Sequence, residues 1–231
     1  MDFTKFISLI DSRTLYFTRA DKFEDPFEGS LPKINITSRK FVPLSVPEVD
    51  HENYLAAVHA LGLIGHNWRR FTAINCWHEN EHESAAMWKL YLKSDEGIAI
   101  QSTYKLLKES IIDEENVYIG KVNYIDYEKG YIDARNILNA FFHKRKSFEH
   151  EREIRALIMK LPLRGTGNMN SEKDTIINGL KIKVDVEKLI QNVYIAPNSP
   201  QWFSDLVDAV VKKYSYNFRI NHSHLNNSPL Y

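Results

Sequence analysis

In the segment FEHEREIRALI, residues 148–158, Glu151, Glu153 and Arg155 stand at alternate positions. As a β-strand the segment sends Glu151, Glu153 and Arg155 to one face and Ile154, Ala156 and Ile158 to the other, with Leu157 as the apolar exception. Two carboxylates side by side can divide acid–base work between them, or stabilise positive charge that develops in a transition state. The same pattern fits a solvated strand face on which Arg155 pairs with a neighbouring glutamate, a contact contributing about 0–1 kcal/mol when exposed.

Three other groups of residues could join them. Asp25 and Glu28 lie in a loop directly after a strand, a usual place for functional groups, although both are also suited to capping backbone amides of the turn. Trp88 and Tyr91 lie three positions apart on an expected helix and share a surface, either as a cleft wall or as packed core. Lys144, Arg145 and Lys146 form a basic run at the end of a predicted helix, where they complement the helix dipole or, beside Glu151 and Glu153, hold the phosphates of a ligand.

Residues 75–91 read NCWHENEHESAAMWKLY, in which His78, Glu79 and His82 satisfy the zinc-protease pattern H-E-x-x-H. That chemistry requires a helix, because one helical turn brings both imidazoles to the metal and the glutamate to its water. The run from Glu79 to Glu83 is entirely polar, and the packed helix is predicted to begin only after His82. The pattern therefore reads as a polar loop, and no third ligand stands out.

These residues depend on elements whose outlines are visible in the pattern. FTKFISLID is predicted helical and TLYFTRA a short strand; DKFEDPFEGSLPK is a turn-rich loop broken by Pro26 and Gly29. DHENYLAAVHALGLIGH is predicted helical until Gly62 and Gly65, and FTAINCW a buried strand. Ser84 or a neighbouring acid caps a helix over SAAMWKLYL, and GIAIQST follows as a strand. NVYIGKVNYID is expected to form one longer strand, ARNILNAFFHKRKS a helix, and EREIRALIMK and GLKIKVDV strands. SPQWFSDLVDAVVKKY is the last helix, before a short strand and a loose tail. Strands and helices mix without strict alternation, which predicts an α+β fold: one domain over residues 1–231, with a mixed or antiparallel sheet and packed helices.

The 231 residues carry 30 basic and 30 acidic side chains, so no overall field favours nucleic acid or an anionic membrane. The single cysteine, Cys76, excludes an intramolecular disulfide and multi-cysteine zinc sites, and a core of this size needs no structural metal. No basic leader with an apolar run opens the sequence and no stretch is apolar enough to span a bilayer, giving a cytoplasmic expectation.

Three landmarks occur in order: LYFTRADKFEDPFEG, CWHENEHESAAMWKLYLKSDEGIAI and KRKSFEHEREIRALI. Over about residues 10–160 the chain resembles DUF2971, a bacterial and phage family of unknown function. Asp25, Pro26, Phe27 and Glu28 match its turn motif, and Cys76 and Trp77 its strand end. Met87, Trp88, Tyr91 and Gly97 match its middle motif; Lys144, Phe148, Glu151, Glu153 and Arg155 match its last. His78 and His82 lie outside that pattern, and many relatives carry a short aromatic and basic strand ahead of the position of Met1. The family name implies no activity.

The E-x-E arrangement is similar to that of ADP-ribosyltransferases. By that similarity Glu153 stabilises the positive charge left on ribose as nicotinamide departs, and Glu151 orients or deprotonates the acceptor. Arg155 or the run beginning at Lys144 holds the diphosphate, Trp88 or Tyr91 stacks on a ring, and Asp25 and Glu28 complete the site. NAD is then the co-substrate, and NAD glycohydrolase activity the simplest form of the reaction. Two alternatives use the same residues: a magnesium-dependent nuclease or phosphodiesterase in which Asp25, Glu28, Glu151 and Glu153 gather metal, and a non-catalytic module that binds a nucleotide or a protein. A structural salt-bridge network is the remaining reading of the acids.

Overall fold

The computed structural model describes residues 1–92, 94–162, 174–225 and 229. In chain order the elements are α1 (Phe3–Ser12), β1 (Thr14–Arg19), α2 (Lys33–Ser38), α3 (His51–Asn67), β2 (Thr72–His78), α4 (Ala85–Tyr91), β3 (Ile98–Gln101), α5 (Tyr104–Ser110), β4 (Tyr118–Lys121), β5 (Asn123–Ile125), β6 (His143–Arg145), β7 (Glu153–Met159), β8 (Gly179–Lys183), α6 (Val186–Leu189), β9 (Asn192–Ile195), α7 (Gln201–Lys213) and β10 (Arg219–His222). Antiparallel and mixed sheets with packed helices make the fold α+β, as expected. The tail expected beyond β10 lies partly outside the described residues.

Contacts group the chain into two compact units. The first comprises Met1–Tyr16, Asn80–Glu115 and Lys181–Tyr231, the second Phe17–Glu79 and Asn116–Leu180. In the first unit β9 pairs in parallel with β10 and antiparallel with β3. Phe6, Leu9 and Ile10 recur at helical spacing, which gives α1 a buried apolar face, and the Asp2 carboxylate caps its first turn by accepting from Lys5 N–H. Phe203, Val207 and Val211 form the buried stripe of α7, and the rings of Phe3 and Phe203 meet edge to face at 5.4 Å.

The second unit is built on an antiparallel array in which β7 lies between β4 and β2, and β2 pairs in turn with β1. Its core gathers Ala20, Ile74, Phe141 and Leu157, with Trp68, Leu138 and Phe142 packed around them. Along β7, Glu153, Arg155, Ala156, Leu157 and Ile158 are all buried. The strand is therefore covered on both faces, and the face expected to carry exposed charge is an interior one.

Several element boundaries depart from the sequence pattern. Residues 116–126 do not make one strand: β4 pairs with β7, β5 pairs in parallel with β6, and the chain changes partner at the buried Val122, whose N–H donates to Glu153 O. Residues 134–147 are not a helix. A 3-10 turn over Ile137–Phe142, started by the Asn136 side chain accepting from Leu138 N–H, gives way to β6 and then to a second 3-10 turn over Lys146–Glu151. Pairing with β5 outweighs the helical propensity of this segment. α3 continues through Gly62 and Gly65 to Asn67, since a glycine costs only about 1 kcal/mol in a helix and does not by itself end one. The sequence pattern did not single out the short helices α2 and α5. No helix among the described residues is long and apolar enough to cross a membrane.

The loop after β1 is fixed by its backbone. Asp25 Oδ1 accepts from Phe27 N–H at 3.0 Å, Glu28 N–H returns to Asp25 O at 3.1 Å, and Gly29 follows with φ +67°. A Cβ at Gly29 would lie 2.4 Å from Phe141 Cε1. Gly29→Ala is accordingly expected to destabilise the protein by about 1–3 kcal/mol, from the left-handed backbone together with displacement of Phe141; a urea midpoint unchanged from wild type would contradict this placement of the loop.

Candidate functional site

Arg155 and Glu153 point to the interior of the second unit from β7. Register places Cys76 of β2 and Gly120 of β4 on either side of Arg155, so its long side chain has small neighbours on both flanking strands. It is 0% exposed, and each guanidinium nitrogen is engaged: Nε donates to Glu153 Oε2 at 2.5 Å, Nη1 to Glu28 Oε1 at 2.6 Å and Phe141 O at 2.7 Å, and Nη2 to Glu28 Oε2 at 2.8 Å. The Glu28 pairing is bidentate, the strong planar geometry of an arginine and a carboxylate. Arg155 is held charged by these carboxylates despite its burial.

Lys144 continues the network from β6. Its ammonium donates to Glu153 Oε1 at 2.9 Å and to Glu151 Oε2, and it lies 4.6 Å from the centre of the Phe148 ring. Arg145, next in the strand, points elsewhere: Nη2 donates to Asp25 Oδ1 at 2.8 Å while the guanidinium stacks 4.3 Å from Phe27 and 5.2 Å from Phe148. Lys144 is buried, so the basic run is not a solvated helix face.

Glu151 is not on a strand. It ends the second 3-10 turn, and Arg152, with φ +41°, turns the chain into β7, so Glu151 and Glu153 reach Lys144 from a turn and a strand rather than from one alternating face. The end of β2 fastens this turn: His78 Nδ1 donates to Glu151 O at 2.6 Å and Glu79 N–H to Arg152 O at 2.8 Å. His78 lies on a strand and His82 in a loop, so H-E-x-x-H has no helix here. Among the described residues no group of three or more His, Cys, Asp or Glu side chains is placed to hold a metal ion.

Four carboxylates, from Asp25, Glu28, Glu151 and Glu153, face three cations, from Lys144, Arg145 and Arg155. The excess negative charge is resolved at Glu151. Burial, and hydrogen bonding with Glu153, push its carboxyl up to about 7. At Glu153 burial also pushes upward but is outweighed by Glu151, Arg155 and Lys144, which hold it ionised well below the usual carboxylate range. The pair thus provides one carboxyl that trades a proton near neutrality and one that stays charged.

The expected site residues therefore divide. Asp25, Glu28, Lys144, Glu151, Glu153 and Arg155 come together in the second unit. Trp88 and Tyr91 belong to the first, where Trp88 Nε1 donates to Glu83 Oε2 at 3.2 Å, Tyr91 is 59% exposed, and Trp88, Lys89 and Asp95 line a surface cavity. The sequence pattern did not single out Tyr124, whose hydroxyl accepts from Glu153 N–H at 2.8 Å. A tyrosine 29 positions away carries no local signal of that contact.

No family model matches the chain, and neither a curated protein nor a solved structure does. Function must be argued from these side chains.

Two outcomes follow from the electrostatics. Glu28→Gln leaves Arg155 buried with half its pairing lost and is expected to cost about 3–5 kcal/mol, read from urea unfolding; a loss under 1 kcal/mol would show that the pair is not closed. Glu151 binds its proton more tightly folded than unfolded, so its contribution is complete below the ordinary carboxylate range and declines as pH rises to about 7. Glu153 is ionised throughout that window in the folded protein and finishes ionising in the unfolded chain at its lower edge, so it offsets the fall only there. Thermal stability should fall across it in wild type, and Glu151→Gln should flatten that fall.

Proposed function

We propose that the second unit carries an acid–base site at Glu151 acting on a nucleotide of the NAD type, by cleavage of the bond between nicotinamide and ribose with transfer of the ADP-ribosyl group to water or another acceptor. What supports this reading is the Lys144 ammonium that bridges Glu151 and Glu153 and holds the two carboxyls side by side, with burial raising Glu151 to about 7 while Arg155 and Lys144 keep Glu153 ionised.

In this chemistry nicotinamide leaves as a neutral base and positive charge grows on the ribose. Ionised Glu151 stabilises that charge and takes the proton of the attacking hydroxyl. Glu153, with one oxygen on Lys144 and the other on Arg155, acts through Glu151 by keeping Lys144 in place and the local potential negative. Lys144, Arg155, Asp25 and Glu28 build the frame rather than bind phosphate, since each spends its charge within the cluster.

The resemblance to DUF2971 stays part of the proposal. Its support is that Asp25 and Glu28 of the turn motif meet Lys144, Glu151, Glu153 and Arg155 of the late motif in one network. The magnesium-dependent nuclease gains less support, because Glu28 gives both oxygens to Arg155 and Glu153 gives its two to Arg155 and Lys144. A second reading, in which the acids form a structural salt-bridge network, is favoured by the same saturation of Glu28 and Glu153.

The purified protein is expected to release nicotinamide from NAD in EDTA, and Glu151→Gln, if folded, to lose at least a hundredfold of that rate, in the range of a general base. Absence of release from the wild type, with acceptors supplied, would leave the structural reading.

A further inference from the structure

Tyr124 stands where the frame meets solvent. Pairing of β5 with β6 sets Tyr124 opposite Lys144, and residues opposed in a ladder project to the same side of the sheet. The phenol therefore lies alongside the ammonium that bridges Glu151 and Glu153. Its oxygen accepts the Glu153 N–H, an amide at the first position of β7, so the phenolic proton must point away from that amide. Tyr124 is half-buried, as Glu151 is, whereas Glu153 and Lys144 are buried. Burial and the charges of Glu153 and Glu151 push the phenol up to about 12, so it keeps its proton at neutral pH.

We propose that the Tyr124 hydroxyl is the ligand-facing donor of the Glu151 site and selects a sugar-type hydroxyl on the ligand. The inference rests on the acid–base reading of Glu151 and adds the group that its ligand must present. A hydroxyl accepts from Tyr124 while donating to ionised Glu151 or accepting from its protonated form, and it serves both states of that carboxyl. A phosphate at the same point would meet a cluster in which carboxylates outnumber cations whenever Glu151 is ionised. Neutral, hydroxyl-bearing chemistry is favoured there. The amide contact fixes the ring without using the proton, so the donor is set in place before a ligand arrives.

The test uses the full chain as wild type and Tyr124→Phe, with ADP-ribose and methyl ribofuranoside as probes in calorimetric titrations, alongside melting curves and a carboxyl-carbon NMR titration of Glu151. Tyr124→Phe should weaken binding of the tighter probe about five- to tenfold, the scale of one neutral hydrogen bond, with the Glu151 midpoint unchanged; its melting temperature should fall because the Glu153 N–H loses its acceptor, so both proteins are titrated at a temperature where each is folded. Equal affinity in the two proteins would overturn the proposal, as would failure of the wild type to bind either probe. A Glu151 midpoint raised in Tyr124→Phe would overturn it too, since the hydroxyl would then be serving Glu151. Tyr124-dependent binding without nicotinamide release would keep this inference and remove the NAD chemistry.

Discussion

The second unit depends on where the charge of Arg155 is satisfied. A guanidinium with no exposure carries five N–H donors into the interior, and leaving it unpaired there would cost several kcal/mol. The answer draws on three separate segments: Glu153 on its own strand, Phe141 O from the 3-10 turn, and Glu28 from the loop after β1. Each partner is pinned in turn. Gly29 must lack a Cβ so that Phe141 can approach, and Asp25 must cap the turn that presents Glu28.

That constraint explains why the acids divide into frame and edge. Glu28 and Glu153 are saturated by cations, and a saturated carboxylate has little left to offer a ligand. Glu151 differs because it sits on a turn at the margin, shares one lysine with Glu153, and absorbs the surplus negative charge by holding a proton. In the proposed reaction the proton transfer falls to Glu151, while the Tyr124 hydroxyl is held by the Glu153 N–H. The Nε2 of His78 is buried with no hydrogen-bond partner among the described residues, and its ring serves the turn through Nδ1.

Much of the fold was legible because local patterns decided it. Phe6, Leu9 and Ile10 announce the buried face of α1, Ser84 caps α4 by accepting from Met87 N–H as expected, and β2 and β7 follow from apolar runs of strand length. The pattern misled where tertiary pairing overrode it. Residues 134–147 have helical composition yet yield β6, because β5 offers a ladder and Lys144 gains two carboxylates there. The face of β7 bearing Glu153 and Arg155 looked solvated because charge usually is, and only a partner as distant as Glu28 lets it be interior.

What the sequence determined by itself was the inventory and its local geometry: strands and helices with apolar faces, a turn at Asp25–Gly29, and acids and bases spaced for chemistry around Lys144–Arg155. Periodicity and turn preference act over a few residues, so they can be read along the chain. Which charges meet was decided only by tertiary structure. Glu28 reaches Arg155 across 127 positions and Tyr124 reaches the Glu153 amide across 29, and neither contact leaves a trace in local spacing. Burial then sets the proton affinity of Glu151, because its carboxyl answers to desolvation and to neighbours that exist only once β2, β6 and β7 have come together.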